Sequence, residues 1–487
     1  MQIARKAVRG SIYLTFSSII LIFVGFFGNL ILARLLIPEY FGIVALATSI
    51  FGFVQRPRVS GLNLALIHKQ VDDGNSDIYY STHLILQALL SLVVIAIAFA
   101  ISPLLSVKYD RILIIIFLIL ATASIFDKDG LSSTPATILE KELRYSVISW
   151  ANLISTVLSF GIAVLLAYFG FGVWSLVVMN LILIIVPLFI YWKFTPWRPN
   201  LKKIRFDRDV AVWFLRQQGI FLWIAGISYF ITLLFDDFLV GTLVGTLALG
   251  YYSVAYNISR MPLGLLTNII QVASPIYSKL QNDNDSLSKN YDLITGFILR
   301  LGFLISLIIW FCAYEAVYLF LGEKWIPAVP LVQLLIFYSL GRPLNDALGS
   351  VIIAIGKAKD YSKVNLIQGV LMLILCPVAV YFLKAKGAAI VVGFLMVLGV
   401  LLLQYKINRY FKVNLASIYL SPTVALLFTY FALLSITRFF SFSTNMWMSL
   451  TSKILIICLI YIFMIFLLER KKLLINIKYL FSILKRA

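Results

Sequence analysis

The sequence predicts an all-α integral membrane protein of fourteen transmembrane helices, and three observations carry that expectation. Of 487 residues 61% are apolar and 13% charged, with mean hydropathy +0.97. A soluble domain is only about half apolar and about a quarter charged. The apolar residues fall in continuous runs near the length of about 20 that crosses a bilayer core as a helix. Segments such as SLVVIAIAFAI (91–101) lack the period-two alternation of a membrane β-strand.

Taken in order, the first span is expected near 10–33. It is long enough to cross and lacks an A-x-A-like site, so no cleavable signal peptide is expected. The second, 41–67, carries Arg56-Pro57-Arg58 within otherwise apolar sequence. The third, 80–107, is continuous. The fourth, 111–139, contains Asp127-Lys128-Asp129-Gly130, which either lies within the helix or begins a loop after Phe126. Stopping at Phe126 leaves a helix shorter than the usual 17–25 residues, so the span is read through. The fifth and sixth, 146–169 and 171–193, precede the longest connection, KFTPWRPNLKKIRFDR (193–208), whose charges and prolines suit a linker. Eight more follow at 210–242, 248–278, 293–320, 326–355, 361–383, 387–408, 416–437 and 446–468.

The expected domains are an N-lobe of helices 1–6 (1–193), a cytoplasmic linker (194–209), a C-lobe of helices 7–12 (210–410) and helices 13–14 with a basic tail (411–487). Two six-helix halves suggest an internal repeat, as in many transporters.

Charge sets the orientation. The chain holds 41 Lys and Arg against 21 Asp and Glu, for a formal charge of +20. The termini and the connections on their side carry 26 of the 41, the opposite loops 7. The positive-inside rule then places both termini in the cytoplasm; the expected location is the inner, cytoplasmic membrane. The basic balance is thereby topological, and no nucleic-acid partner is expected.

The remaining cations fall inside spans: Arg56, Arg58, Lys128, Arg216, Arg260, Arg300, Arg342 and Lys453. A charge at a helix centre costs about 2.5–3.5 kcal/mol on insertion scales, so retained charges face a partner or a wet cavity. At a rise of 1.5 Å per residue Arg56, the Asp127-Lys128 pair and Arg342 lie about 23–25 Å from the outer end of their helices, in one layer. Arg216 and Lys453 are close enough to helix ends to snorkel. Arg56 and Arg58 either neutralise Asp127 and Asp129 or, with Lys128 and Arg342 leaving cations in excess, hold an anionic ligand. Guanidinium suits phosphate through paired hydrogen bonds.

Several chemistries are excluded by pattern. No G-x-x-x-x-G-K-[ST] loop encodes an ATPase, and neither H-E-x-x-H nor G-x-S-x-G occurs. Cys312, Cys376 and Cys458 are isolated in apolar runs, so disulfides and metal sites are not expected. The two histidines, His68 and His83, read as satisfied interfacial groups. No catalytic residue, metal or cofactor is expected, and transport is the stronger reading than enzyme.

Five stretches then resemble one family, the polysaccharide exporters or Wzx-like lipid-linked oligosaccharide flippases of the multidrug/oligosaccharidyl-lipid/polysaccharide superfamily. They are ARLLIPEYFG (33–42), GFGVWSLV (170–177), DDFLVG (236–241), LGYYSVAY (249–256) and LGEKWIPA (321–328). Arg58-Val59-Ser60-Gly61 departs from the D-L-G-L common in that family's second helix. The resemblance implies two six-helix lobes around a central cavity, with two C-terminal helices appended. It also implies transfer of an undecaprenyl pyrophosphate-linked oligosaccharide across the membrane by alternating access. Surface-polysaccharide polymerase and glycosyltransferases are the expected partners, with lipid. On this reading Arg56, Arg58, Lys128, Arg260, Arg300 and Arg342 line the substrate path. Asp127, Asp129, Asp236 and Asp237 are candidates for binding a coupling H⁺ or Na⁺, followed by Glu315 and Asp346. Alternatives are a lipid II flippase of peptidoglycan synthesis, and a drug/cation antiporter, which would carry an acidic cavity.

Overall fold

Most of the expected helices form, and the computed structural model of the chain describes residues 2–55, 62–69, 76–199, 205–217, 220–260, 264, 266, 270, 273, 276–439 and 445–484. Among the described residues there is no β-strand. Eight helices there are long and apolar enough to cross a membrane, and the bent pair Glu323–Leu334 and Ile336–Ala354 makes a ninth if it is one span. Ile20–Leu35 and Arg111–Phe126 are shorter apolar helices. The expected spans at 41–67, 210–242 and 248–278 each include residues outside the described set. The chain forms two compact units, Met1–Ser253 and Val254–Ala487.

The first unit contains α1 (Gln2–Leu35), α2 (Pro38–Gln55), α3 (Leu62–His68), α4 (Ser76–Ser106), α5 (Arg111–Ala123), α6 (Ser133–Lys141), α7 (Tyr145–Tyr168), α8 (Val173–Phe194), α9 (Arg208–Gln217) and α10 (Ile220–Leu239), and the start of α11 (Thr246–Ser259). α7 packs on α1 and α8. It buries Ser149, Ala151, Ser155, Ser159, Ala163 and Ala167, small residues largely at four-residue spacing. In lipid no hydrophobic effect drives helices together, so close backbone approach over small side chains supplies the contact instead. α9 is amphipathic: Phe214 is fully buried against Leu62, Leu66 and Leu86, while Arg216 is exposed.

α2 and α11 meet at a reciprocal close approach. A Cβ on Gly42 would overlap the Thr246 carbonyl, and one on Gly250 would overlap the Pro38 carbonyl. Pro38 and Thr246 each open the helix that carries the respective glycine four residues later. Each helix therefore lays its first-turn carbonyl into the seat where the other lacks a side chain.

The second unit contains the rest of α11, then α12 (Asn284–Ala316), α13 (Val329–Leu334), α14 (Ile336–Ala354), α15 (Ala358–Leu383), α16 (Ala385–Tyr410), α17 (Ser421–Phe439) and α18 (Met446–Leu484). Asp283 starts α12 by accepting from the Ser286 N–H at 3.1 Å, and its hydrogen bonds with Ser286 hold its carboxyl below the usual range. α16 is the central helix, packed on α14 and α15, with Gly387, Ala388, Ala389, Gly393 and Gly399 buried along it. Tyr419 donates to Gln404 of α16 at 2.8 Å, and Tyr291 donates to the same oxygen.

Two expected spans are not straight. The span at 326–355 bends by 49° between α13 and α14. The one at 111–139 is interrupted. α5 passes through a short 3₁₀ turn, Ser124–Phe126, and the chain turns before α6. Asp127 Oδ1 accepts from the Asp129 N–H at 2.8 Å, Leu131 N–H returns to the Ile125 carbonyl at 2.7 Å, and Ser132 Oγ donates to the Phe126 carbonyl at 2.6 Å. An aspartate that captures backbone two residues on is a turn former. Gly130 leaves room for the Ser124 and Ile125 carbonyls.

Candidate functional site: charged groups on the membrane helices

Arg56 and Arg58 lie outside the described residues, so the two cations on which the sequence reading leans most have no geometry here. The neighbouring expectation that Asp127, Lys128 and Asp129 ride on a continuous helix is corrected. All three are in the turn after Phe126, with Lys128 exposed and the aspartates half-buried. The Asp127 carboxylate serves the turn itself.

Asp236 and Asp237 sit near the end of α10, before a π-helical turn at Val240–Val244. Asp236 is completely buried and accepts a hydrogen bond from the Tyr252 hydroxyl at 2.6 Å. Asp237 is half-buried. The pair therefore splits into one carboxylate held by α11 and one nearer the surface.

In the second unit Arg342 and Arg260 are brought to one cluster. Arg342, on α14, is 7% exposed and donates from Nε to Asp346 Oδ2 at 3.1 Å, one turn along the same helix. Arg260 lies at the end of α11 with its guanidinium 5.7 Å from the Tyr256 ring centre. Tyr256 in turn packs on Tyr338 of α14, ring centres 4.6 Å apart. Ser339 Oγ donates to the Ser259 carbonyl and joins the same two helices. Two guanidiniums and one carboxylate leave one positive charge beside two aromatic faces. Arg260 is the exposed member, the one a phosphate could reach, while Tyr256 and Tyr338 are buried behind it.

Arg300 is arranged differently. It donates from Nε and Nη2 to both carboxylate oxygens of Glu469, at 2.7 and 2.6 Å, with the glutamate side chain 2% exposed. Glu469 lies where α18 loses helical geometry (φ −128°, ψ 16°), and Tyr461 of α18 donates to the Arg300 carbonyl at 3.0 Å. Arg300 thus ties α12 to α18. Lys453, expected to snorkel, instead pairs with Glu315 on α12, which also accepts from Ser449 Oγ at 3.0 Å. Ionisable groups within membrane helices commonly pair with one another in this way.

The sequence reading missed Glu469 and Tyr252, whose partners lie 169 and 16 residues away. It placed His83 at an interface. His83 is fully buried, its Nδ1 2.9 Å from Thr134 Oγ1 and its ring packed on Phe214. Its neighbour one turn on, Gln87, donates to Asn63 and Ser133 at 3.2 and 3.1 Å. This network stitches α3, α4 and α6 together. Its only sequence signal is a polar face on an otherwise apolar helix.

The architecture defines a multi-pass helical membrane protein with charged groups held inside its helical units. Residues 31–330 match the family described as polysaccharide biosynthesis protein, and the chain belongs to that family. It is similar to an uncharacterised membrane protein in the cps region of Klebsiella pneumoniae, 26% identical over 81% of this chain and 80% of the relative. The lipopolysaccharide biosynthesis protein WzxC of Escherichia coli K12 is 24% identical over 82% of this chain and 79% of its own. Among solved structures the lipid II flippase MurJ, in an inward closed conformation, shares the fold. It has TM-score 0.73 and 15% identity, with 96% of this chain and 100% of that one covered.

Proposed function

We propose that this protein is a flippase. It would carry an undecaprenyl pyrophosphate-linked oligosaccharide from the cytoplasmic to the outer leaflet of the inner membrane, by alternating access, for surface-polysaccharide synthesis. The observation that carries the reading is the cluster of Arg342, Arg260, Tyr256 and Tyr338, cationic and aromatic within the apolar helices of a polysaccharide biosynthesis family member. A drug/cation antiporter would place acid in excess there. Arg56 and Arg58 are proposed to hold pyrophosphate through planar two-point contacts that lysine cannot copy. Both termini then face the cytoplasm, and glycosyltransferases and a polymerase act on the same lipid-linked sugar.

The test is export in a deletion strain. Loss of the protein should accumulate lipid-linked oligosaccharide on the cytoplasmic face. Arg56→Ala with Arg58→Ala should fail to relieve it at normal protein abundance, while the double lysine variant relieves it partly. Full export by the double alanine variant would remove both arginines from the site. Accumulation of peptidoglycan precursor instead would reassign the cargo to lipid II.

A further inference from the structure

A cavity of about 620 Å³ opens in the first unit beside the start of α2, the turn from α4 to α5 and the end of α10. Ligand pockets span about 300–1,000 Å³, so the volume is in the working range. It shares no residue with the charged positions assigned to the substrate path or to ion coupling.

Its lining changes character from one side to the other. Half-buried Ile43 of α2 and exposed Ile112 of α5 form an apolar side, with buried Leu46 and Leu113 behind it. Lys108, Asp110 and Arg111, at the α4–α5 turn, form a charged rim, and Thr242 of the Val240–Val244 turn also lines the cavity. Lys108 and Arg111 are exposed and form no ion pair among the described residues. The Lys108 ammonium stands 5.6 Å over the Tyr109 ring. Asp110 subtracts one charge, so the rim keeps a net positive charge. The Asp110 side chain also makes no cap hydrogen bond to α5, whose first residues Arg111 and Ile112 line the cavity.

Two cations here run against the charge pattern of the chain. They belong to the loops that hold 7 of its 41 lysines and arginines, the side from which the positive-inside rule removes them. A basic rim joined to an apolar wall at a helix end matches one class of ligand, an amphiphile whose head is a phosphate.

We infer that this cavity binds a phosphate-headed lipid, with Lys108 and Arg111 holding the phosphate and Ile43 and Ile112 receiving the first part of its chain. The side it occupies rests on the proposed orientation, in which it faces outward and would receive the carrier lipid after transfer. The binding itself does not depend on that orientation.

The experiment uses the full chain in detergent with Thr242→Cys as reporter and Cys458→Ser as background, since Cys312 and Cys376 are buried. The rate of thiol labelling at position 242 is read with farnesyl pyrophosphate, inorganic pyrophosphate or farnesol. Farnesyl pyrophosphate should slow labelling. Lys108→Gln with Arg111→Gln should shift the protecting concentration upward by at least about tenfold, a loss of about 1.4 kcal/mol. Asp110→Asn should lower it, which tests the charge logic if the double variant folds poorly. Equal protection by inorganic pyrophosphate would overturn the lipid assignment, and equal protection by farnesol would overturn the phosphate contact. Absence of any protection would remove the site. Protection should persist in Arg56→Ala/Arg58→Ala, so failure of the proposed transport site and failure of this one are read separately.

Discussion

Removing Arg300 should destabilise the protein through Glu469, and a second substitution should restore it. The pair is bidentate, with contacts of 2.7 and 2.6 Å, and the two side chains are 15% and 2% exposed. Arg300→Ala strands a carboxylate that water scarcely reaches. Breaking a buried pair from one side typically costs about 3–5 kcal/mol, because the remaining charge stays desolvated. Glu469→Gln should cost less, since the amide still accepts from the guanidinium and Arg300 is the more exposed partner. Arg300→Met combined with Glu469→Leu removes both charges and keeps volume, and should fall within about 1–2 kcal/mol of the native protein. Unfolding of the full chain in detergent, as the four corners of a double-mutant cycle, measures each value. Export by the double variant supplies the second readout. A double variant that is stable and exports normally makes Arg300 a tie between α12 and α18. One that is stable but exports nothing returns Arg300 to the substrate path. If Arg300→Ala loses no stability, the desolvation reasoning is wrong.

Gly42→Ala should destabilise by about 1–3 kcal/mol in the same unfolding assay, because its methyl meets the fixed Thr246 carbonyl rather than a side chain that can turn away. Gly161→Ala, which meets nothing within 4 Å, is the control and should be near neutral. Cysteine at exposed Ser106 should react with an impermeant thiol reagent on intact cells while cysteine at exposed Asn282 should not; labelling at 282 would reverse the assigned orientation. In vesicles under an imposed proton or sodium gradient, Asp236→Asn should flip cargo at a rate independent of that gradient. Unchanged dependence there would shift coupling to Asp237, Glu315 or Asp346.

The fold was legible wherever one physical rule dominated. Long apolar runs such as 76–106 and 385–410 form helices because lipid offers the backbone no other hydrogen-bond partner. The rule weakens where local polar chemistry competes. Asp127 and Gly130 made a turn of the same stretch that length alone assigned to a span. The bend at Leu335 had no comparable signal, since apolar residues continue on both sides of it. The reciprocal fit of Gly42 and Gly250 was invisible for another reason: each glycine reads as an ordinary small residue until the partner helix is in place.

The charges inside the membrane teach a sharper lesson about what insertion cost can reveal. That cost says a charge needs company but not whose, and company in a folded chain comes from anywhere in the sequence. Arg300 found it at Glu469, Lys453 at Glu315 and Arg342 at Asp346. Lys128 needs none where it sits, exposed in a turn, and Arg216 lies on the exposed face of amphipathic α9. Arg260 forms no ion pair among the described residues and rests on a tyrosine face. Among the described residues the cationic surplus therefore contracts from a general lining to Arg260 with partly neutralised Arg342. The same reasoning makes Arg300 the least suitable of the six proposed substrate contacts, because a guanidinium already holding a carboxylate with two donors must release it before it can accept a phosphate.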